Sequence, residues 1–248
     1  MQRKYIFVLT LNAPRRSDLI IVPICTVSPK RQQQKTESNF LSGEIPPELS
    51  LLSNLEVLSF YDNFLVSTIP TELFAIPTLM GLDLSENELV GEIPTEVGQL
   101  ANSMWTFDVK HNLLTGHVPF ERFTELSNSW LYLSLGPNFF QPWTIPTEIG
   151  LLSKLSLLSL EEAHLIGSIP DTLGNCTSMR VLYLENNPEL SGTIPTTLAR
   201  MTDLEKLVMY TNQLSGTVPT EFTAFTNLVH FGMSDSNITG NIFCYIYF

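Results

Sequence analysis

Residues 79–94 read LMGLDLSENELVGEIP. Apolar residues stand at Leu79, Leu82, Leu84, Leu89 and Ile93, with Asn87 and Gly91 between them and Pro94 at the end. The alternation Leu82-Asp83-Leu84 predicts a strand with one face inward and one outward. Asn87 follows where the chain has to turn, and its amide suits the free backbone groups of neighbouring turns, forming a ladder. Gly91 admits a tight bend. Pro94, followed by Thr95 and Glu96, is expected to start a short helical turn.

The same run recurs in both directions. Ile-Pro or Val-Pro falls at Ile45, Ile69, Ile93, Val118, Ile145, Ile169, Ile194 and Val218, and Ile242 takes the ninth place without its proline. The spacings are 24 to 27 residues. A fixed period of this size marks a stacked array, because no single unit can bury its own leucines. Residues 204–219 repeat the pattern as Leu204, Leu207, Met209, Asn212, Leu214, Gly216, Val218 and Pro219, with Met209 in a leucine place.

Departures from the pattern carry their own expectations. Ala163 and Ser236 replace the ladder asparagine, so the ladder should weaken there. Ser67 replaces the glycine of its unit. Extra residues fall within 140–145 and 187–190 and should form bulges on one side of the stack. Trp143, inside the first insertion, reads as a local hydrophobic plug, with a contact residue as the alternative. Cys176 shares its place with Leu52, Ile76, Leu100, Leu126, Leu152, Met201 and Phe225. It is expected to be a buried small hydrophobe and not a reactive thiol.

Composition excludes several classes. The chain has 248 residues and a net charge of −12, too acidic for a nucleic-acid binder that works by neutralising phosphates. Apolar residues make up 44%, too many for an acidic disordered chain. No apolar run reaches the ~18–20 residues that span a bilayer. Three cysteines give no closed disulfide framework, and there is no CxxC or Cys/His cluster. No metal site or cofactor is therefore expected.

The charge is uneven. Residues 1–36 hold seven of the 13 bases and one acid, Asp18, while residues 37–248 hold six bases and 24 acids. Two sequence types therefore meet near residue 37. The first is a basic, non-repeat segment, a weak secretory signal or a gene-model artefact, with Arg3 and Lys4 ahead of the short apolar run from Tyr5 to Leu11. The second, 37–248, holds about eight and a half repeats, uncapped at both ends. The strand leucines due at 31, 34 and 36 are replaced by Arg31, Gln34 and Thr36, and the chain stops on the apolar run 242–248. A solenoid needs polar caps, so the chain reads as a fragment. The alternative is a complete protein whose apolar stretch from Leu19 to Val27 covers one end.

The pattern LxxLxLxxNxLxGxIPxxLxxLxx resembles the plant-type leucine-rich repeat over residues 39–243, and its wording is also similar to algal and protist repeat families. The resemblance implies an α/β leucine-rich-repeat solenoid, curved, with a parallel sheet on the concave face and short helical or irregular segments on the convex face. It also implies a non-catalytic recognition module for a protein, peptide or glycan, similar to receptor-like proteins and receptor kinase ectodomains. An extracellular or cell-surface location follows from the resemblance, with cytoplasm as the alternative and any membrane segment outside this chain. The other functional alternatives are a secreted inhibitor of cell-wall hydrolases, similar to the polygalacturonase inhibitors, and a cytoplasmic scaffold. Asn175-Cys-Thr177 and Asn237-Ile-Thr239 are glycosylation acceptors by pattern. Cys244 stands where relatives begin a cysteine cap.

The non-leucine positions in and beside the strands are expected to line the concave face. They hold ten acids and three bases. Aromatic residues among charges on a rigid sheet make good anchors, which singles out Tyr61, Trp105, Tyr132, Tyr183 and Tyr210. Asp83, Glu86, Asp108, Glu161 and Glu185 would favour a basic or polyhydroxyl partner. Acids that serve only solubility are the plainer reading. His111 joins them as a partner-contact candidate; Asp83, Glu86, Asp108 and His111 come from neighbouring units, and a catalytic set can be assembled from them. No nucleophile elbow, metal motif or phosphate loop accompanies them. An open sheet is also expected to leave carboxyl pKa values unshifted. No catalytic residue is assigned.

Overall fold

The computed structural model describes residues 40–99, 104–124 and 131–240. The basic segment 1–36, Leu100, Leu126, Ile242 and Cys244 lie outside the described residues.

Each unit contributes one three-residue strand built on its central leucine or phenylalanine. Eight of these, Val57–Ser59, Gly81–Asp83, Thr106–Asp108, Tyr132–Ser134, Leu157–Ser159, Val181–Tyr183, Lys206–Val208 and His230–Gly232, form one parallel sheet in chain order. Register is kept from unit to unit: Leu58, Leu82, Phe107, Leu133, Leu158, Leu182, Leu207 and Phe231 are successive Cα partners. Between the first and last of that row the central residues are wholly buried. The core is thus a continuous column along the stack, which is how units too small to fold alone become stable. Strands stack about 4.7–4.9 Å apart, closer than helical segments with their side chains can pack, at about 8–10 Å. The sheet therefore takes the inner, concave side of a curved solenoid.

The ladder asparagines behave as the sequence predicts. Asn87 Nδ2 donates to the carbonyls of Leu84 (3.1 Å), Ser85 (3.0 Å) and, in the preceding unit, Phe60 (2.9 Å). Its Oδ1 accepts from the Leu65 amide at 3.0 Å. Asn63, Asn112, Asn138, Asn187 and Asn212 are likewise buried, so polar turns pass through the interior without orphaned backbone groups. Ahead of the ladder position the chain turns through a positive φ, at Asp62, Glu86, His111, Glu162, Asn186, Thr211 and Asp235; before Asn138 the place is taken by Pro137.

Two expectations need correction. The proline does not start the helical turn but precedes it: Pro70, Pro146, Pro170, Pro195 and Pro219 have extended backbones, and the 3₁₀ turns begin one residue later, as in Thr71–Ala75. Proline's fixed φ fits an extended residue as well as a helical one. The threonines at these starts do not cap. At Thr71, Thr147 and Thr220 the hydroxyl faces the next glutamate, as in Thr147 Oγ1 to Glu148 Oε2 at 3.1 Å. Nor is the stretch between asparagine and proline merely irregular. Ile166–Ser168, Asn187–Thr193, Asn212–Thr217 and Asn237–Thr239 form a second, four-stranded parallel sheet, and shorter pairs occur at Ser42–Gly43 with Phe64–Leu65 and at Val90–Gly91 with Leu113–Leu114. Near-identical segments stacked in register leave their backbone donors and acceptors facing one another.

The unit around residue 140 departs most. It follows the α-helix Phe120–Thr124, whose Phe123 packs on Phe107 with ring centroids 5.5 Å apart. Trp143 stacks on Phe120 at 6.0 Å and packs against the core, as the plug reading requires. Its indole N–H also donates to the Ala163 carbonyl at 2.7 Å. The ladder at Ala163 therefore loses its side-chain rung without leaving the turn unserved. Asn187 Oδ1 accepts from both the Ala163 and Leu165 amides, at 3.1 and 2.9 Å. At Ser236 the hydroxyl reaches the Ser234 carbonyl at 3.5 Å, the limit of a hydrogen bond. Cys176 is fully buried, donates to the Ile149 carbonyl at 3.2 Å, and has its thiol pushed up to about 12 by burial. It is inert, as its leucine place implies.

Candidate functional site

The outward residues of the eight-stranded sheet form rows that follow from register. One row runs Ser59, Asp83, Asp108, Ser134, Ser159, Tyr183, Val208. Two residues further along each chain come Tyr61, Ser85, Lys110, Gly136, Glu161, Glu185 and Tyr210. The strand starts add Tyr132 and Leu157, and just before them stand Trp105 and Leu131.

Several predicted residues meet. Trp105 and Tyr132 touch edge to face with centroids 6.1 Å apart. The Trp105 carbonyl accepts from the Tyr132 amide at 2.9 Å, which ties the pair to the strand starts. Tyr132 is 38% exposed and the adjacent Leu131 equally so, giving a small apolar patch on a polar face. Asp83 and Asp108 are direct Cα partners. Asp83 accepts from the Ser85 hydroxyl at 2.6 Å and amide at 3.1 Å, and Asp108 accepts from the Lys110 amide at 3.1 Å. His111 Nε2 lies 3.6 Å from Glu86 Oε1, both partly exposed. Other predicted residues stay apart. Tyr61 and Tyr210 sit at opposite ends of the sheet, and Tyr183 stands on the far side of the Ser134–Ser159 stretch from Asp83 and Asp108. Asn175 and Asn237 are exposed, and Asn175 Oδ1 accepts from Arg200 at 3.0 Å.

The expectation that an open sheet leaves carboxyls unshifted fails. Glu161 is pushed up to about 7, first by burial, with the neighbouring Glu185 charge adding to it. Asp108 is raised by burial and by Asp83, and Glu185 by burial and by Glu162. Long rows of side chains on a curved sheet crowd one another, so a carboxyl in the middle is shielded from water although no cavity encloses it. Glu161 is held by the Ser159 hydroxyl. Ser134 (3% exposed) and Ser159 (4%) are buried, and Gly136 leaves its row without a side chain. These three small residues were visible in the sequence as facing positions. Among the described residues no cluster of three or more His, Cys, Asp or Glu is placed to hold a metal.

The Leucine Rich Repeat family model matches residues 78–100. The LRR ectodomain of the plant membrane receptor kinase GASSHO1/SCHENGEN3 from Arabidopsis thaliana superposes with a TM-score of 0.78 at 34% identity, over 83% of this chain and 24% of that one. The chain is a leucine-rich-repeat solenoid. A plant peptide hormone receptor, RGFR1, solved in complex with RGF2, shares the repeat architecture at a TM-score of 0.73 and 34% identity, over 79% of this chain and 31% of that one. Receptor-like protein 39 of Arabidopsis thaliana is 32% identical over 159 residues, which is 64% of this leucine-rich-repeat chain and 18% of the relative. The chain thus spans about a fifth of the length of that curated relative. Among the described residues no helix is long and apolar enough to cross a membrane.

Proposed function

We propose that this chain is the recognition part of a cell-surface or secreted receptor-like protein, that it binds a peptide or protein segment on its concave sheet, and that it carries out no catalysis. The observation that carries the reading is the Trp105–Tyr132 pair: two aromatic rings fixed at the starts of two inner strands of a rigid polar sheet, with Leu131 beside them. Aromatic side chains held in place bind at low entropic cost and dominate interface energies. The likeness to a plant peptide hormone receptor solved in complex with RGF2 supports the ligand class. The likeness to receptor-like proteins supports the location. His111 is exposed beside Glu86, a solvated pair without a third group to make it a catalyst.

The test is selection of a displayed random nine-residue peptide library on the folded chain, followed by fluorescence anisotropy of a selected peptide. Trp105→Ala with Tyr132→Ala is expected to weaken binding by about 30-fold, the scale of an interface hot spot, with circular dichroism and melting temperature unchanged. Selected peptides that bind the double variant as well as the parent would refute the reading.

A further inference from the structure

We propose that the apolar half of the outer sheet is a docking surface separate from the concave one, and that its occupant is another protein presenting an apolar patch ringed by lysine and arginine.

The outer pairing reaches further than its longest strands. Amides bond to carbonyls of the preceding unit from Phe64 and Val66 to Leu41 and Gly43, and from Glu88 and Val90 to Leu65 and Ser67. The same holds from Leu113 and Thr115 to Leu89 and Gly91, and from Phe139 and Gln141 to Leu114 and Gly116. Alternation turns Leu65, Leu89 and Leu114 into the core and their neighbours outward. Among the outward residues Val66 is 40% exposed, Val90 41%, Leu113 42% and Phe139 59%.

These residues are contiguous. Val90 and Leu113 are Cα partners. Val66 stands on the unit before Val90 and Phe139 on the unit after Leu113, joined by the amide bonds above. Phe64, two residues before Val66, continues the run to Phe40, on which it stacks at 6.2 Å. Single exposed apolar residues are ordinary, but a run across four neighbouring units marks an interaction surface.

The repeat does not ask for apolar residues at these places. In the four-stranded half they are taken, Ile166 apart, by Glu189, Ser191, Gln213, Ser215, Asn237 and Thr239. There the hydroxyls of Ser191, Ser215 and Thr239 donate to the carbonyls of Gly167, Gly192 and Gly216 at 3.1, 3.3 and 3.2 Å. One half of the sheet is thus complete in water, and the other gains from being covered.

Charge states what covers it. Glu44, Glu88 and Glu92 stand among the outward residues of the apolar half, and no lysine or arginine does. The Glu92 side chain lies across Gly116 of the next unit, where a Cβ would meet its carboxyl carbon. An apolar centre with an acidic border is complemented by an apolar centre with a basic one. A second copy complements it poorly, because a two-fold contact sets the same acids against themselves.

The test is selection of a displayed library of small three-helix proteins, randomised over one face, on the full chain. The library is first depleted on Val90→Ser/Leu113→Gln/Phe139→Gln, which gives these places the residue types of the polar half. Binders are expected to survive depletion and to combine an apolar centre with flanking lysine or arginine. In fluorescence anisotropy they should bind the triple variant at least tenfold more weakly, and Glu44→Gln/Glu92→Gln should weaken them about threefold. Thr217→Ala, in the polar half, should leave affinity unchanged. Loss of every binder in the depletion, or binders with neutral or acidic borders, overturns the proposal. So does either other occupant. Self-association of the parent that the triple variant abolishes in sedimentation equilibrium means a second copy. A disulfide between Cys25 and the thiol of Leu113→Cys in the full chain means the chain's own basic segment. Circular dichroism on each variant separates loss of binding from loss of fold.

Discussion

The turn that carries Asn187 and the turn that carries Ala163 are neighbours in the stack and are held by different means. At Asn187 one buried amide serves five backbone groups. It donates to Leu160, Leu184 and Glu185 and accepts from Ala163 and Leu165. At Ala163 there is no such group. Trp143, from an insertion in the preceding unit, reaches over to the Ala163 carbonyl, and His164 Nδ1 meets the Phe140 carbonyl at 2.7 Å. The regular turn is stitched by a side chain of its own. The irregular one is stitched by the bulge beside it. The repeat therefore constrains which backbone groups must be paired, not which residue pairs them.

The largest effect should come from removing the stitch that serves both turns. Asn187→Ala strands two amides and three carbonyls in the interior, and each stranded group costs about 1–3 kcal/mol. Some will find water or shift, so the expected loss is about 3–5 kcal/mol in urea unfolding. A loss under about 1 kcal/mol would mean the ladder is decoration and leucine packing alone sets the stack.

Trp143→Phe probes the other turn. It keeps the ring on Phe120 and deletes the N–H that serves Ala163, so about 1–3 kcal/mol should be lost. If Trp143→Phe is neutral, the tryptophan is a plug only, and the comparison between the two turns weakens.

How far the sequence reached can be judged from the same residues. The period, the strand leucines and the asparagine rungs were legible, because burial and backbone pairing impose them on every unit alike. The indole bond to Ala163 was not, because it joins an insertion to a neighbouring unit, and insertions have no period to read. The outer sheet was also missed. Its strands follow a glycine-containing stretch that reads as a bend, and they exist only because identical bends stack. On the concave face the aromatic and acidic residues were found. The raised Glu161 was not, since it arises from side-chain crowding between units.

Glu161 lies where the two turns meet the sheet, and its titration is the next smaller effect. Its carboxyl is raised to about 7 by burial, with Glu185 opposing ionisation and Lys110 favouring it. A group raised in the folded state favours folding below its ordinary value, and that contribution is lost as pH rises through the folded value. Melting temperature should therefore fall between pH 5 and pH 8 by more in the parent than in Glu161→Gln. A tenfold difference in proton affinity between folded and unfolded chain is worth about 1.4 kcal/mol, and each kcal/mol moves the melting temperature by about 2–4 °C in a chain of this size. Parallel pH curves for the two proteins would mean the carboxyl is solvated after all.

The smallest effect, that of Ser67→Gly, separates pattern from physics when set against its reverse at Gly91. Ser67 and Gly91 occupy the same place in successive units, with φ of 81° and 82°. A side chain in this left-handed region is strained, and at Gly91 a Cβ would also lie 2.8 Å from Thr68 Cγ2. Gly91→Ser should thus cost about 1–3 kcal/mol. The reverse change, Ser67→Gly, relieves strain of about 1–2 kcal/mol but gives the unfolded chain more freedom to lose, about 0.5–1 kcal/mol. The net expectation is a gain below about 1 kcal/mol in urea unfolding. Unequal signs for the two swaps show that the conformation selects glycine and that Ser67 is tolerated strain. If Gly91→Ser is as harmless as Ser67 is in its own unit, the glycine of the repeat marks ancestry, and the bend is held by the ladder on one side and the sheet on the other.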